Sequence, residues 1–341
     1  MSYLTYIKIH HFKSIEDLEL KDLSNINIIV GENNSGKTSL LEAMSILGNE
    51  NSIKSILNNV SKRSADYNSS FELFLEIFPR YQDRNKNIKI KSIIKGLTRE
   101  ININGNIVRD IDINNDIDNV FLGNINVKLE DETVIDKNIF IKENKEFKYI
   151  NDYDIIKIVY VTPYDYYRND LIENILENLN DKDKENIISL LNIFDSDIVD
   201  FKIVKKLNID KSMIYICHNV YKEMPLFSFG DSIKKIFILG IAMISAKGGI
   251  LLVDEIESAI HKNYINQMFD RIIKMCKNYK IQLICTTHSL EAIDSIILSL
   301  ENELDLLSCF RIELYDNQTY YTRFSGDKLK DIRNLLGQDV R

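Results

Sequence analysis

The stretch INIIVGENNSGKTSLLEAM, residues 26–44, restricts the fold of this chain more than any other. A largely apolar run, Ile26–Val30, stops at Gly31, and small or polar residues follow as far as Lys37 and Thr38. Leu40, Leu41, Met44 and Leu47 then recur on one helical face before Gly48. The periodicity predicts a buried strand over 26–30 and a helix from Thr38 to Leu47. Backbone between two such elements must find partners for its N–H groups. Glycines five positions apart let it curl so that successive N–H groups converge at the positive end of the helix, which makes an anion nest. The spacing Gly31-x-x-x-x-Gly36-Lys37-Thr38 is that of the P-loop, in its strand-to-helix context. The ligand implied is a nucleoside triphosphate. Asn33, Asn34, Ser35, Gly36, Lys37, Thr38 and Ser39 form the cradle; Lys37 places a point charge on the β- and γ-phosphates, and the Thr38 hydroxyl binds Mg2+. An ordinary strand–turn–helix is the plain alternative, and it leaves the lysine and the exposed backbone unexplained.

Three downstream stretches complete the pattern. In GGILLVDEIESAIH (248–261) an apolar strand ends in Asp254-Glu255. Strand carboxyl ends of an open α/β sheet face the ligand crevice. Asp254 is the candidate for the Mg2+ shell, and Glu255 the general base that polarises the attacking water. In QLICTTHSLEAID (282–294) a second apolar strand ends in Thr286-Thr287-His288. The imidazole can donate a hydrogen bond to the γ-phosphate and so distinguish ATP from ADP. In PLFSFGDSIKKIFIL (225–239), Ser228 and Gly230 precede a helix start capped by Asp231 or Ser232, which is a second anion-binding terminus. It cannot easily share the phosphate held by its own P-loop, so the simplest geometry brings it to a second molecule's nucleotide. A two-fold homodimer with two ATP molecules sandwiched between subunits follows. Each stretch has a plain reading too: a helix-capping acidic pair, a structural histidine, an ordinary capped helix. Their order behind a P-loop favours the site.

The chain has 341 residues, 45% of them apolar, with three prolines and twelve glycines. That is enough core for one large domain or two ordinary ones, with little flexible linker. A net charge of −8 speaks against a protein coated in nucleic acid. Cys217, Cys276, Cys285 and Cys309 are scattered and read as reduced, buried thiols. The N-terminal residues alternate like a strand and carry no signal-peptide core. No apolar run approaches the roughly 20 residues that span a bilayer. The reading is a cytoplasmic chain with no membrane partner.

Residues 3–9 and 18–20 read as strands. Between 70 and 150 apolar residues alternate with period two, and Asn104-Gly105 reads as a hairpin turn. Residues 168–206 show helical spacing, as at Leu171, Ile175 and Leu179, and accommodate two or three short helices. From Ser228 the pattern is α/β, with helices over 232–246, 262–277 and 290–300 and strands over 250–253 and 281–285. A hairpin over 310–324 and a short helix end the chain. Lys86, Lys89, Lys91, Lys95 and Arg99 form a basic cluster, read first as a solvated face that blunts a sheet edge and second as a contact for nucleic-acid phosphate. PYDYYRND (163–170) reads as a loop with a stacking or interface alternative. His10-His11 lacks a carboxylate or cysteine at metal-binding spacing, and His261 reads as structural.

In this order the motifs resemble the ABC-type ATPase heads of the SMC, RecF and OLD group, AAA family ATPases. IKIHHFKSIEDLEL resembles the family's opening strand, whose basic residue, here Lys13, lies near the nucleotide. SFGDS is a degenerate form of the Ser-x-Gly-x-x signature, LLVDEIESAIH resembles Walker B with its D-loop, and THS the switch histidine. The resemblance places Ser258 in the segment facing a partner subunit. Asp231-Ser232 and Lys262 depart from the pattern, and no glutamine is assigned to the Q-loop, Gln82 being the nearby candidate. The implied fold is α/β: a two-lobed P-loop ATPase head with an antiparallel β insert and a short helical lid. The division expected is 1–69 and 70–160 for the first lobe and its insert, 161–224 for the lid, and 225–341 for the second lobe. The implied function is an ATP- and Mg2+-dependent switch of slow turnover. It homodimerises around ATP, with larger assemblies open to it, and controls a separate effector protein, a nuclease or toxin, in bacterial anti-phage defence. A RecF-like repair ATPase that binds DNA is the second reading, and an ATP-binding scaffold without turnover the third.

Overall fold

The structure is a computed structural model describing residues 2–48, 70–111, 117–130, 132–143, 156–165, 172, 179–205, 212–316 and 318–341. The first strands are β1 (Leu4–Phe12), β2 (Ile15–Lys21) and β3 (Ile26–Val30), followed by helix α1 (Lys37–Ser45) and the short helix α2 (Ser70–Leu75). β4 (Asn85–Ile94), β5 (Leu97–Ile111), β6 (Ile117–Leu129) and β7 (Glu132–Lys142) come next, then β8 (Ile158–Val161) and α3 (Asp181–Leu191). β9 (Ile198–Lys205), β10 (Ser212–His218) and β11 (Lys222–Pro225) lead into α4 (Asp231–Ser245) and β12 (Ile250–Val253). α5 (Lys262–Tyr279), β13 (Gln282–Thr286) and α6 (Leu290–Ser299) precede β14 (Leu307–Tyr315), β15 (Gln318–Ser325) and α7 (Gly326–Lys330).

One six-stranded sheet is antiparallel, in the order β2-β1-β4-β5-β6-β7. The alternating stretch after residue 70 is therefore no separate sheet. β4 pairs with β1 through Lys8–Lys91 and Ile9–Ile90, so these strands extend the sheet that the N-terminal hairpin begins. The second sheet runs β15-β14-β3-β13-β12-β8, and its five strands other than β15 are parallel. Its central strands β3, β12 and β13 are buried along their whole length, as expected of a parallel sheet covered on both faces. Ile28, Val30, Leu251, Val253, Leu283 and Cys285 pack with the apolar faces of α4, α5 and α6. The opposite face, with Ile29, Leu252 and Ile284, packs on α1 and the antiparallel sheet. Each sheet thus buries its apolar face in a layered α/β architecture.

Two expectations are overturned. Asn104-Gly105 lies inside β5, and the hairpin turns instead at Lys95 and Gly96, both with positive φ. Gly105 pairs directly with Gly123 of β6, and a Cβ on Gly105 would sit 2.4 Å from Phe121 Cζ. The glycine serves close approach across the sheet rather than a turn. The helical spacing expected through residue 206 gives way at 198, where β9 opens a three-stranded meander, β11-β10-β9. Leu171 and Ile175 lie outside the described residues, and α3 is the described helix of that region. His218 braces the meander. Its Nδ1 accepts the N–H groups of Val220 and Tyr221 at 3.0 and 3.2 Å, so Nε2 carries the proton and donates to Asp195 at 3.1 Å.

The basic cluster is dispersed as well. Arg99 is buried and donates to the Leu47 carbonyl, while Lys89 pairs with Glu100 at 3.1 Å. Lys95 lies against the Tyr3 ring. Gln82 exchanges two hydrogen bonds with the Asn87 backbone. Tyr164 is exposed, and the remainder of PYDYYRND beyond Asp165 lies outside the described residues. No helix among the described residues is long and apolar enough to cross a membrane.

Candidate functional site

The loop from Gly31 to Gly36 joins β3 to α1 through backbone that few side chains tolerate. Gly31 has φ 143° and passes so close to β14 that a Cβ would lie 2.1 Å from the Ile312 carbonyl oxygen. Asn34 at φ 63° and Gly36 at φ 97° are also left-handed, a conformation open to Gly and tolerated by Asn. Gly36 is the N-cap of α1 and makes no side-chain cap, so the first N–H groups of the helix point into the loop. Ser35, Thr38 and Ser39 lie along this turn, with Ser39 Oγ 3.2 Å from Ser14 Oγ. Lys37 is largely buried, and its ammonium donates to the carbonyls of Gly31 and Glu32 at 2.8 and 2.6 Å. Burial lowers its pKa, and the charges of Asp254 and Glu255 oppose that shift.

Asp254 stands at the end of β12, 3% exposed. Thr38 Oγ1 donates to its Oδ2 at 2.9 Å, so residues 216 positions apart share one site. Its Oδ1 accepts from Thr286 Oγ1 at 2.6 Å, and Thr286 Oγ1 in turn accepts the Glu255 N–H at 2.7 Å. Thr286 lies on β13 one position beyond the Val253–Cys285 pair, and this parallel register brings the hydroxyl beside the acid pair. Glu255 is exposed at φ 47°, a strained setting for a residue other than glycine. The cradle and the acid pair thus meet at one end of the parallel sheet. A hydroxyl and a carboxylate at a helix N-terminus are the hard oxygen donors that suit Mg2+, so the chemistry of these residues fits Mg2+ with a triphosphate.

His288 follows β13, and its N–H donates to Glu257 Oε1 at 2.8 Å. Ser289 caps α6. Lys13, at φ 51°, sits beside α1 rather than the loop tip: its ammonium pairs with Glu42 at 2.5 Å. Ser228 and Gly230 lie before α4, Gly230 as its N-cap with open space around it. No hydrogen bond or ion pair joins them to the P-loop among the described residues. Ser232 donates to the Ala259 carbonyl at 2.5 Å and ties the start of α4 to the loop that follows β12. Lys262 is the first residue of α5, a position that also suits proline, and His261 caps that helix.

Two site residues carry no signal in a single sequence. Thr286 is one of three polar residues closing a strand. Lys235 falls among the apolar positions of α4, yet it is 1% exposed and donates to the Thr162 carbonyl at 2.8 Å.

A family profile described as "AAA domain, putative AbiEii toxin, Type IV TA system" matches residues 26–294. A protein of Helicobacter pylori named ATP/GTP phosphatase is 21% identical over 324 residues, covering 84% of this chain and 86% of that one. A DNA replication and repair protein RecF of Actinobacillus pleuropneumoniae is 46% identical over 56 residues, 16% of each chain. Among solved structures, an SMC head bound to the C-winged helix domain of ScpA superposes with a TM-score of 0.56 at 13% identity, covering 95% of this chain and 98% of that one. An SMC head with an extended coiled coil, bound to the C-terminal domain of ScpA derived from Pyrococcus furiosus, gives 0.50 at 12%, covering 99% and 100%. The chain belongs to this AAA-domain family and has the fold of an ABC-type, SMC-like ATPase head.

Proposed function

We propose that this ATPase head is a slow, Mg2+-dependent molecular switch that closes as a homodimer around ATP and controls a separate effector protein. The observation that carries the reading is the 2.9 Å hydrogen bond from Thr38 to Asp254, which gathers a phosphate cradle and an acid pair into one site. Thr38 and Asp254 would hold Mg2+ there, which would supply neutralisation of phosphate charge. Lys37 and the backbone N–H groups of residues 33–39 bind the phosphates. Thr286 orients Asp254 and holds the Glu255 backbone, leaving the Glu255 carboxylate to take the proton of the attacking water. His288 donates to the γ-phosphate. Ser228 and Gly230 reach the partner subunit's nucleotide, for which the open surroundings of Gly230 leave room. Lys13 is tied by Glu42 to the middle of α1, the helix that the phosphate loop opens.

The family description names a putative toxin of a toxin–antitoxin system; beside it we place the reading of effector control in bacterial defence, carried out in the cytoplasm. A RecF-like role on DNA is the second reading, favoured by the 56-residue local match. Co-purifying nucleic acid, or an ATPase rate raised by DNA, selects the second; a co-purifying protein effector selects the first. The catalytic assignment has its own test. Glu255→Gln keeps ATP binding, loses hydrolysis and accumulates as a dimer of doubled mass in light scattering, whereas Lys37→Ala loses binding by calorimetry. Hydrolysis at the wild-type rate in E255Q refutes the assignment of the base. No turnover in the wild type reduces the protein to a scaffold.

A further inference from the structure

The backbone of His288 is held on both sides. Its N–H donates to Glu257 Oε1 at 2.8 Å, and its carbonyl accepts from Arg341 Nη1 at 2.7 Å. Arg341 is oriented in turn by Asp339: Nη2 donates to Oδ2 at 2.6 Å, Nε to Oδ1 at 3.0 Å, and its own backbone N–H to Oδ1 at 2.9 Å. This pairing pulls the Asp339 carboxyl down to about 2. Between the two charges Val340 is 2% exposed and packs into the core. Farther back, Arg333 forks onto Asp294 of α6 with two bonds of 2.8 Å and holds the Gln338 carbonyl at 2.7 Å. Residues 333–341 are thus fastened along α6, the helix that starts just after His288, and they deliver one guanidinium to the histidine's own peptide.

We propose that this segment is a strap, and that Arg341 and Glu257 are positioning residues for His288. Building on the role of His288 at the γ-phosphate, the strap fixes the carbonyl side of the switch histidine and the D-loop fixes the amide side. The imidazole's direction then depends on two peptide anchors rather than on its own rotamer alone. An arginine suits this task because its planar fork holds Asp339 and still spares a donor for the carbonyl.

The test is a double-mutant cycle in the full chain. Arg341→Ala lowers kcat by about three- to tenfold, the loss of one charge-assisted hydrogen bond, with KM for ATP and the melting temperature held. Arg341→Lys, which still donates to a carbonyl, restores most of the rate. In a His288→Ala background Arg341→Ala has no further effect. Amide exchange at residues 287–289 quickens in R341A, a readout that stands even where the double variant turns over too slowly to measure. An equal slowing by R341A in both backgrounds, or exchange unchanged in R341A, overturns the strap alone. H288A at the wild-type rate overturns the role of the histidine, and the strap with it.

Discussion

Burying an ammonium costs free energy, and α4 buries one close to the acid pair. Lys235 donates to the Thr162 carbonyl and feels the carboxylates of Asp165, Asp254, Glu255 and Glu257. Burial outweighs these charges and lowers its pKa from 10.5 to about 8. The sign of the stability effect follows. Below pH 8 both folded and unfolded chains carry the proton, and the folded state bears the full cost of the buried charge. Between pH 8 and 10.5 the folded state has shed its proton while the unfolded state has not, so stability rises with pH. The gap corresponds to about 3 kcal/mol. Lys235→Met removes the titrating group. The stability of wild type relative to K235M, measured by urea unfolding, therefore rises by about 3 kcal/mol from pH 7 to pH 11. A difference flat across that range refutes the assignment. Lys235 escapes sequence reading because a lysine within an apolar helical face is identified only once its neighbours are known. The meeting of Thr38 with Asp254 is legible because both follow short, mostly apolar strands whose carboxyl ends share one side of the sheet.

At the scale of elements, one glycine pair sets how closely β5 and β6 approach within the antiparallel sheet. Gly123 faces Gly105 across β5 and β6, and a Cβ on Gly123 would lie 2.2 Å from the Asn104 carbonyl oxygen. That contact is with backbone, so nothing flexible can yield. Gly123→Ala is expected to cost about 1–3 kcal/mol, read as a lower urea midpoint with ATP affinity retained, since the P-loop lies on another sheet. An unchanged midpoint would mean that β5 and β6 part freely at this point. The same pair explains the misplaced turn. Asn-Gly favours a hairpin when local chemistry decides, but a fifteen-residue strand paired on both sides outweighs two residues of turn preference. Strands β3 and β12 were legible to the residue because they are short, apolar but for Asn27, and bounded by turn signals. β9 and β10 were not. SMIYICH buries alternate residues, but IVDFKIVK buries Ile198 and Phe201, a three-residue interval that is ambiguous beside the helical spacing that precedes it.

For the whole molecule the decisive contact is a single amide between the two sheets. Gln282 begins β13 of the parallel sheet, wholly buried, beside the first strand of the antiparallel one. Its oxygen accepts the N–H groups of Tyr3 and Leu4 at 2.9 and 2.7 Å, and its nitrogen donates to the carbonyls of Leu4 and Ser24, both at 2.8 Å. All four capacities of the side chain are used on backbone. Gln282→Ala strands these groups in a dry seam, where each unmet donor or acceptor costs about 1–3 kcal/mol. The expected loss is roughly 3–5 kcal/mol, since some groups find other partners on relaxation. Gln282→Glu keeps the acceptor but turns a carboxylate toward two carbonyls, so it should not rescue. Because β1, β3 and β13 meet at this seam, circular dichroism and a nucleotide-site probe should shift together in urea, both to a lower midpoint. If only the nucleotide-site probe moved, the two sheets would be unfolding separately, and the parallel sheet that carries both Thr38 and Asp254 would be the one that had lost stability.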